Sequence, residues 1–425
     1  MTSARDVARR VLVRVDDGAY SNLVLPEALR RTSLSDRDRA FATDLVYGTL
    51  RAQRRLDARL APHSHRPLDQ LDSAARAALR LGAYQLERGV ASHAAVGETV
   101  AVAPARVRGY VNAVLRALAA TGPPWPALAS EGEELSYPDW VLQRLDADLG
   151  VDDARGALLA QNEPPVLTLR PNVRRLDVAS LATELQTGGA TTIAGTVVPD
   201  AVAVRAVGDP RTLPAVAEGR ATPQDQSSQA VVNLVGAAPG DRVLDVAAAP
   251  GGKATGLGER VAHGTVVAVD VHAGRLALVG RAARRLGLEN VHPVLADGRV
   301  QPVAAASMDR VLVDPPCSGL GVLRRRPEAR WRVGEPTEGL LALQRDLVVH
   351  AVAALRPGGR LVYSVCTLTR AETVDVVDAA VAVLGTTVTV LPPPSPPWKP
   401  WGGGALLLPQ AAGTDGMFVA ALERC

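Results

Sequence analysis

Apolar residues in the first 120 positions recur at the spacing of a helix face. Val7, Val11 and Val15 lie four residues apart, and Leu79 and Leu86 lie seven apart, with arginines and polar residues between them. A stripe of this period is buried along one side of an amphipathic helix. The pattern therefore predicts an all-helical bundle whose outer faces are basic.

The periodicity changes after residue 120. The run TGPPWP at 121–126 ends any helix, because proline has no amide donor and biases its predecessor towards extended backbone. Beyond it, YPDWVLQRLDADLG and DVASLATELQTGG have the pattern of helices, whereas PVLTLRPN and DAVAVRAVG alternate like strands. Residues 136–225 are therefore predicted to form a small unit that mixes helices and strands.

From residue 229 onwards, strands and helices alternate. The strand segments are DRVLDVAA, TVVAVDV, NVHPVLAD, DRVLVDPP and GRLVYSVC, and helices are predicted from Leu276 to Leu286 and from Leu341 to Leu355. Such alternation builds a parallel sheet covered by helices on both faces, and ligands bind beyond the carboxyl ends of its strands. The segment PPPSPPWKPWGGG at 392–404 is predicted to be a surface loop.

These patterns together predict a multidomain protein. An N-terminal all-α bundle is expected over residues 1–125, and a small α+β domain over 126–225. A C-terminal α/β domain with a Rossmann-like parallel sheet is expected over 226–425.

The composition excludes several classes of protein. Hydrophobic residues make up 47% of the chain and charged residues 21%, as in a globular protein, and no run of about 20 residues is apolar throughout. The apolar run near the N-terminus lies between Asp6 and Asp16 and is too short for a secretory signal. None of the three cysteines has a partner at zinc-ligand spacing. We therefore expect a cytoplasmic protein with reduced thiols, no metal and no membrane contact.

Charge is distributed unevenly along the chain. Residues 1–125 carry 19 arginines against 12 acidic residues, whereas the remainder has a net negative formal charge. This excess fits a basic face that binds nucleic acid, and it fits equally well an arginine-rich composition that follows from GC-rich coding.

A glycine-rich turn follows the first strand of the C-terminal sheet. It reads DVAAAPGGK over residues 245–253, and such turns let a ligand approach the backbone closely. A phosphate-binding P-loop would need glycine at position 247 and Ser or Thr at 254, and a dinucleotide site would need GxGxxG. Neither pattern is present. The turn therefore favours a cofactor that has a nucleoside but no pyrophosphate.

Two acidic residues follow the next strands. Asp270 comes 19 residues after Gly251, about where an acidic residue binds ribose hydroxyls in nucleoside-binding folds, and Asp297 is placed for an adenine ring. One acidic residue at a strand end is usually a helix cap. Two at successive strand ends, after a glycine-rich turn, favour a nucleoside site.

Two cysteines complete the predicted edge. Asp314-Pro315-Pro316-Cys317 follows the fourth strand, and Cys366 closes the fifth in YSVCT. Methyltransferases that act on exocyclic amines commonly have an aromatic residue where Cys317 stands. A single free cysteine is more often an inert core residue than a nucleophile, but two at one predicted site favour a reactive role.

A thiol suits methyl transfer to a pyrimidine ring carbon. Carbon 5 of cytosine is a poor nucleophile, and addition of a thiolate to carbon 6 turns the ring into an enamine-like species that can attack a sulfonium methyl group. An acid near ring nitrogen 3 would stabilise the adduct, a role that suits Asp314. The base would have to be unpaired or flipped out of its stack. This chemistry does not distinguish which of the two thiols is the nucleophile.

The motifs resemble those of a known family. DVAAAPGGKATG, VVAVDV, ADGR, VDPPCSG followed by RRRPEARW, and YSVCTLTRAE are similar in order and spacing to the motifs of the RNA cytosine-5 methyltransferases. DRAFATDLVYGTLRAQRRLD and HAAVGETVAVA followed by RGYVNAVLRAL resemble the helical NusB RNA-binding domain. The combination covers nearly the whole chain and resembles the RsmB (Fmu/Sun) branch, which methylates 16S ribosomal RNA.

The resemblance implies a role for each matching residue. It implies Cys366 as the nucleophile and Cys317 as the cysteine that assists product release. In DNA cytosine-5 enzymes the nucleophile stands in the position of Cys317, so the order of the two thiols rests on the RNA family. The residues that it implies contact S-adenosylmethionine are Ala247, Ala248, Ala249, Pro250, Gly251, Gly252, Lys253, Asp270, Asp297 and Asp314. Ala247 departs from the family, where relatives often have cysteine.

The expected partner is RNA, either free 16S rRNA or a partly assembled small ribosomal subunit. One alternative keeps the reaction and changes the substrate to tRNA or another rRNA site, since no base-reading residue is identified. An alternative of a different class is an RNA-binding or assembly factor whose methyltransferase domain is inactive. The intact glycine turn, acidic residues and thiols favour the enzyme.

Overall fold

The chain forms two compact units in a computed structural model that describes residues 3–205, 208–300 and 302–425. The first unit comprises residues 1–144, 161–164 and 323–333, and the second comprises 145–160, 165–322 and 334–425. The domain boundaries predicted after residues 125 and 225 stay a prediction. Among the described residues, no helix is both long and apolar enough to cross a membrane.

The first unit is a helical bundle, as the sequence predicts. Its helices are α1 Ala4–Asp16, α2 Ser21–Arg30, α3 Asp36–Arg51, α4 Gln53–Leu60, α5 Ser73–Glu87, α6 Ser92–Val102, α7 Ala105–Thr121 and α8 Glu131–Leu135, and α9 Asp139–Leu149 begins in this unit and ends in the second. The side chains of Ser35 and Asp72 cap α3 and α5 by accepting backbone amides. Val7, Val11 and Leu79 are at most 1% exposed and belong to one apolar core.

A segment distant in sequence belongs to this helical unit. Residues 323–333 include the short 3-10 helix Pro327–Trp331, and Arg330 within it is fully buried. The Arg330 guanidinium donates hydrogen bonds to the carbonyls of Arg51, Ser136 and Gln161 at 2.9–3.2 Å and lies 3.8 Å from the ring centroid of Tyr137. Burial lowers the pKa of Arg330 to about 10, so the side chain remains a cation at neutral pH.

Two further side chains of the segment contact the turn between α1 and α2. Buried Glu328 accepts hydrogen bonds from the amide and hydroxyl of Ser21, at the start of α2. Arg332 donates to the carbonyls of Val15 and Ala19, at the end of α1. An acidic group at a helix N-terminus and a basic group at a C-terminus both match the helix dipole, so the segment stabilises this turn.

The second unit contains a small antiparallel sheet with helices. Its strands are β1 Leu167–Pro171, β2 Thr191–Ala194, β3 Val202–Arg205 and β4 Ala221–Pro223, in the order β2-β3-β1-β4, with helices α10 Val151–Ala160, α11 Val178–Thr187 and α12 Pro214–Ala217. The predicted α+β character is confirmed. Residues 206–207 of the predicted strand DAVAVRAVG lie outside the described residues.

A nine-stranded sheet, counted over the described residues, forms the rest of the second unit. Its strands are β5 Arg242–Val246, β6 Thr265–Asp270, β7 Val291–Leu295, β8 Met308–Val313, β9 Leu355–Val365, β10 Val388–Val390, β11 Lys399–Trp401, β12 Gly404–Leu407 and β13 Met417–Arg424. The helices that accompany it are α13 Gln226–Leu234, α14 Gly252–Arg260, α15 Ala273–Leu286, α16 Glu338–Ala354, α17 Val374–Leu384 and α18 Pro409–Ala412. The order is β11-β12-β13-β9-β8-β5-β6-β7, with β10 paired to β13. The predicted Rossmann-like α/β architecture is confirmed.

Two details differ from the sequence expectation. Strands β5 to β9 are parallel, but β13 runs antiparallel to β9, so the sheet is mixed. The loop predicted at 392–404 is wrong for residues 399–401, which pair with β12 as β11, and Trp398 beside them is only 6% exposed. Proline is tolerated in an edge strand, because an edge leaves some amide positions unpaired.

Candidate active site

Every residue predicted to carry the site follows a strand at one edge of the large sheet. The parallel strands neighbour one another in the order β9-β8-β5-β6-β7. The chain passes from β5 to β6 on one side and later returns to β8 on the other side. The carboxyl ends of β5 and β8 are therefore the topological switch point, where ligands bind in open α/β sheets.

The glycine-rich turn after β5 is tightly packed. Ala247 has a φ of +64° and Gly251 a φ of +105°, and a Cβ on Gly251 would lie 2.9 Å from the Cα of Val279. Only glycine fits position 251. A side chain would strain the left-handed backbone and would collide with α15. Helix α14 begins at the next residue, so the turn presents the helix N-terminus to the edge.

The two acidic residues that were predicted to bind the nucleoside have protein partners. The Asp270 carboxylate accepts hydrogen bonds from the amides of Ala249 at 3.2 Å and His272 at 2.8 Å, which ties the glycine turn to β6. The Asp297 carboxylate pairs with Arg299 at 2.6 Å, and this hydrogen bond lowers the pKa of Asp297. Asp270 thus shapes the turn, and Asp297 keeps its charge through Arg299.

A buried carboxylate lies on β5 without a partner. Asp245 is fully buried, and neither carboxylate oxygen has a hydrogen-bond partner among the described residues. Burial raises the pKa of Asp245 well above its usual range, and the charge of Asp314 raises it further. A buried polar group without a partner is costly, so this position is suited to a ligand that brings a positive charge or a donor.

Lys253 and Asp314 form an ion pair at the switch point. The Lys253 ammonium lies 2.6 Å from Oδ2 of Asp314, and the hydroxyl of Ser364 donates to Oδ1 at 3.1 Å. Burial alone would lower the pKa of Lys253, but the charge and hydrogen bond of Asp314 outweigh it, so the pKa is raised. The pair therefore places a hydrogen-bond donor next to an acceptor at a position that is partly shielded from solvent.

The two thiols lie side by side. The Sγ atoms of Cys317 and Cys366 are 3.4 Å apart, at the ends of β8 and β9. The hydrogen bond between the two thiols lowers the pKa of Cys366, whereas the same hydrogen bond and burial raise the pKa of Cys317. These directions favour a thiolate at Cys366 over one at Cys317, and the Lys253 ammonium also favours a thiolate at Cys366.

The sequence arguments missed a buried carboxylate next to the thiols. Glu372 is fully buried and accepts hydrogen bonds from Ser318, Thr367, Thr369 and Gln344. It stands within the YSVCTLTRAE motif, but an acidic residue seven positions after a strand end has no period that predicts burial. Only the pairing of β8 with β9 brings these donors together.

Arg170 was also missed. It lies on β1 of the small sheet, is 2% exposed and makes two hydrogen bonds to the Glu259 carboxylate at 2.9 and 3.0 Å. It also donates to the carbonyl of Gly252 at 2.7 Å and to the hydroxyl of Thr255 at 3.1 Å. Arg170 thus braces the start of α14 from a strand more than 80 residues earlier in the chain, a distance that local sequence patterns do not bridge.

The described residues contain no cluster of three or more His, Cys, Asp or Glu that could hold a metal ion. The groups that converge at the edge are a glycine-rich turn, several carboxylates, an ammonium and two thiols. A Rossmann-like sheet with a glycine-rich turn at this edge defines the class of enzymes that bind a nucleoside cofactor at the switch point.

Comparisons with known proteins narrow this class. Residues 232–423 match the family described as 16S rRNA methyltransferase RsmB/F, residues 2–120 match the NusB family, and residues 137–209 match the ferredoxin-like domain of RsmF/B-like methyltransferases.

Individual relatives agree over most of the chain. A Bacillus subtilis protein named "Probable ribosomal RNA small subunit methyltransferase B" is 31% identical and covers 100% of this chain and 99% of its own length. The Thermus thermophilus ribosomal RNA small subunit methyltransferase B is 38% identical, over 89% of this chain and 87% of the relative. The crystal structure of PH0851 superposes with a TM-score of 0.84 at 25% identity, covering 99% of both chains.

The chain therefore belongs to the RsmB/F family of 16S rRNA methyltransferases and carries the NusB and ferredoxin-like domains of that family. The predicted cofactor, S-adenosylmethionine, and the predicted methyltransferase class are confirmed by this membership.

Proposed function

We propose that this enzyme methylates carbon 5 of a cytosine in 16S rRNA through a covalent adduct with Cys366. The observation that carries the proposal is the pair of thiols, 3.4 Å apart, beside the Lys253–Asp314 ion pair. A methyltransferase that acts on an amine or a hydroxyl needs no sulfur nucleophile, because the acceptor atom already has a lone pair. A ring carbon needs one.

The attack on cytosine is balanced as follows. The Cys366 thiolate forms a bond to carbon 6, and the electron pair of the carbon 5–carbon 6 double bond then takes up the methyl group at carbon 5. A general base then takes the carbon 5 proton, the electron pair of that carbon–hydrogen bond restores the double bond, and the Cys366 sulfur leaves carbon 6 as a thiolate. S-adenosylmethionine supplies the methyl group when bound, and Asp245 with the turn at 247–253 provides an acidic, glycine-lined place for its positive charges.

Asp314 and Lys253 act on ring nitrogen 3 in this proposal. Negative charge builds on the ring when the thiolate adds, and a proton at nitrogen 3 would neutralise it. Asp314 accepts hydrogen bonds from Lys253, at 2.6 Å, and from Ser364, which hold its carboxyl group in place to act at ring nitrogen 3. The Lys253 ammonium adds a positive charge that stabilises the negative charge on the ring.

The assignment of Cys366 as the nucleophile is supported by the direction of the two pKa shifts. The thiol with the lowered pKa is ionised more often, and the thiolate is the attacking species. Cys317 keeps its proton, and its ionised form would be a strong base. We assign Cys317 to release of the methylated RNA, for which it lies within reach of the sulfur–carbon bond.

The RNA substrate is proposed from the family and from charge. Residues 1–125, the predicted helical RNA-binding domain, carry a formal excess of seven positive charges. Phosphate neutralisation by such a surface would give salt-dependent binding. We propose 16S rRNA, free or in a partly assembled small subunit, as the substrate, and the cytoplasm, where ribosomes are assembled, as the site of action.

The proposal is tested by trapping. RNA with 5-fluorocytosine at the target should form a covalent adduct with the enzyme, because fluorine cannot leave as a proton. The adduct should be lost in Cys366→Ala and kept in Cys317→Ala. The opposite result would exchange the two roles, and wild-type enzyme that methylates RNA without any adduct would refute the covalent route. Bisulfite mapping of 16S rRNA and tRNA, with and without the gene, would identify the cytosine.

A further inference from the structure

Glu372 joins the two loops that carry the thiols. The Cys317 loop follows β8 and the Cys366 loop follows β9, so each sulfur is carried on a separate strand end. Ser318, directly after Cys317, donates its amide to Oε1 of Glu372 at 2.8 Å and its hydroxyl to Oε2. Thr367, directly after Cys366, donates its hydroxyl to the same Oε2 at 3.2 Å.

Further donors complete the set around this carboxylate. Thr369 donates its hydroxyl to Glu372 at 3.1 Å. Gln344 of α16 donates to Glu372 at 3.1 Å and to the carbonyl of Pro316 at 2.8 Å. The hydroxyl of buried Tyr363 donates to the backbone carbonyl of Glu372 at 2.7 Å. Four residues from three elements thus converge on one side chain.

Glu372 has no surface from which to touch a substrate. It is fully buried, as are Thr367, Thr369 and Gln344. Burying a carboxylate is unfavourable unless hydrogen bonds replace the water it loses, and here the replacements come from both thiol loops. The bonds that stabilise the carboxylate therefore also fix the distance between the loops.

We infer that Glu372 is a positioning residue that holds Cys317 and Cys366 in register for the covalent reaction. The inference rests on the proposed function, because that function gives the two thiols their chemical roles. The relative position of the two sulfur atoms, in contrast, is a property of the protein without substrate. The sulfur atoms lie 3.4 Å apart. Reactive geometry is sensitive to displacements of about 1 Å, which can reduce a rate about 100-fold.

The variant Glu372→Gln tests this role, because glutamine keeps the size of the side chain and replaces one acceptor oxygen with a donor. In the variant, the new side-chain NH2 group would face the donor of Ser318 or Thr369, so that hydrogen bond would be lost. We expect kcat to fall about 100-fold, with KM for RNA within about threefold of wild type, because the residue is buried away from the RNA. Glu372→Asp, which keeps the charge but is shorter, should recover part of the loss.

The matched control is Asp309→Asn. Asp309 is also a buried carboxylate, but it lies at the amino end of β8, where it accepts from the Arg242 amide at 2.7 Å and pairs with Arg356 at 2.7 Å. Asp309→Asn also removes a buried charge, as Glu372→Gln does, but Asp309 lies at the opposite edge of the sheet from the thiols. Its kcat should stay within about threefold of wild type, since it orients no reacting group.

A second readout does not depend on methylation. Diamide, an azo oxidant, takes two electrons and two protons from a pair of thiols, which become a disulfide while the azo bond is reduced to a hydrazine. Close thiols react faster, so the rate of Cys317–Cys366 disulfide formation, followed by alkylation and mass spectrometry, reports their register. We expect this rate to fall at least about tenfold in Glu372→Gln and to be unchanged in Asp309→Asn.

The outcomes separate the inference from the proposed function. A slower disulfide in Glu372→Gln supports the inference even if wild-type enzyme traps no 5-fluorocytosine adduct, which would refute the covalent route alone. A wild-type disulfide rate in Glu372→Gln, or a raised KM with kcat unchanged, would overturn the inference. If Glu372→Gln does not fold, Thr369→Val and Ser318→Ala remove one donor each, and both must slow the disulfide for the inference to stand.

Discussion

The ammonium of Lys253 lies 2.6 Å from the carboxylate of Asp314, and this pair joins the glycine-rich turn after β5 to the loop that bears Cys317. The turn is the proposed cofactor site, and the loop belongs to the proposed cytosine site. The ion pair thus links the proposed cofactor site directly to the proposed cytosine site.

Replacing Lys253 should slow the chemical step. Lys253→Met removes the positive charge that stabilises the negative charge on the ring, and loss of one such electrostatic contact typically reduces a rate about 100- to 1,000-fold. Single-turnover methylation with saturating RNA would measure the effect. Lys253→Arg keeps the charge and serves as the control, which should retain more activity than Lys253→Met. Equal rates in wild type and Lys253→Met would contradict the role.

The reactivity of Cys366 should depend on Cys317. The hydrogen bond between the two thiols lowers the pKa of Cys366, so Cys317→Ala should raise it. In wild type, alkylation of Cys366 by iodoacetamide should reach half its maximal rate below the ordinary thiol pKa of about 8.5. The midpoint should move to higher pH in Cys317→Ala. A midpoint that stays fixed or moves to lower pH would show that Cys317 does not lower the pKa of Cys366.

The buried carboxylate of Asp245 should lower the stability of the enzyme when no cofactor is bound. Its folded pKa is raised, so the folded state binds more protons than the unfolded state, and stability falls as pH rises from the unfolded value of 3.8 to the raised one. Asp245→Asn removes the charge and should raise the free energy of unfolding at pH 7 by roughly 1–3 kcal/mol. Urea denaturation would measure it.

The same variant should bind S-adenosylmethionine more weakly, because the asparagine has no negative charge for the cationic cofactor. Calorimetric titration would measure the affinity. If Asp245→Asn is destabilised at pH 7 and binds the cofactor as tightly as wild type, neither part of the expectation holds.

Arg330 should stabilise the helical unit. Its guanidinium donates to three backbone carbonyls, and Arg330→Met would leave these acceptors without a donor. Hydrogen bonds to charged groups contribute about 1.5–3 kcal/mol each, so we expect a loss of at least about 3 kcal/mol. Thermal unfolding would report it. The exposed Arg37→Met should change stability by less than about 0.5 kcal/mol, and a similar small change in Arg330→Met would refute the role.

Local patterns in the sequence were sufficient to predict where the secondary-structure elements lie and whether each is a helix or a strand. The helical period of Val7, Val11 and Val15 predicts α1, and the alternation of strands and helices after residue 229 predicts the Rossmann-like sheet. Candidate residues such as Cys317 and Cys366 could be placed at one edge, because the carboxyl ends of parallel strands lie on the same side of a sheet.

The sequence could not indicate which distant groups meet. Arg330 reads as one basic residue in an arginine-rich stretch, yet it is buried in the helical unit, because only the fold brings three carbonyls and Tyr137 around it. Arg170 and Glu259 are 89 residues apart, and their pairing depends on how the small sheet packs on α14.

What the sequence alone determined was the list of chemical groups and the edge of the sheet on which they lie, because side-chain type and strand period are local properties. Tertiary structure decided which thiol has the lowered pKa, that Asp245 has no hydrogen-bond partner among the described residues, and that Glu372 links the two thiol loops. Those outcomes depend on distances between separate strands and on exclusion of water, and neither is encoded in any single segment of the chain.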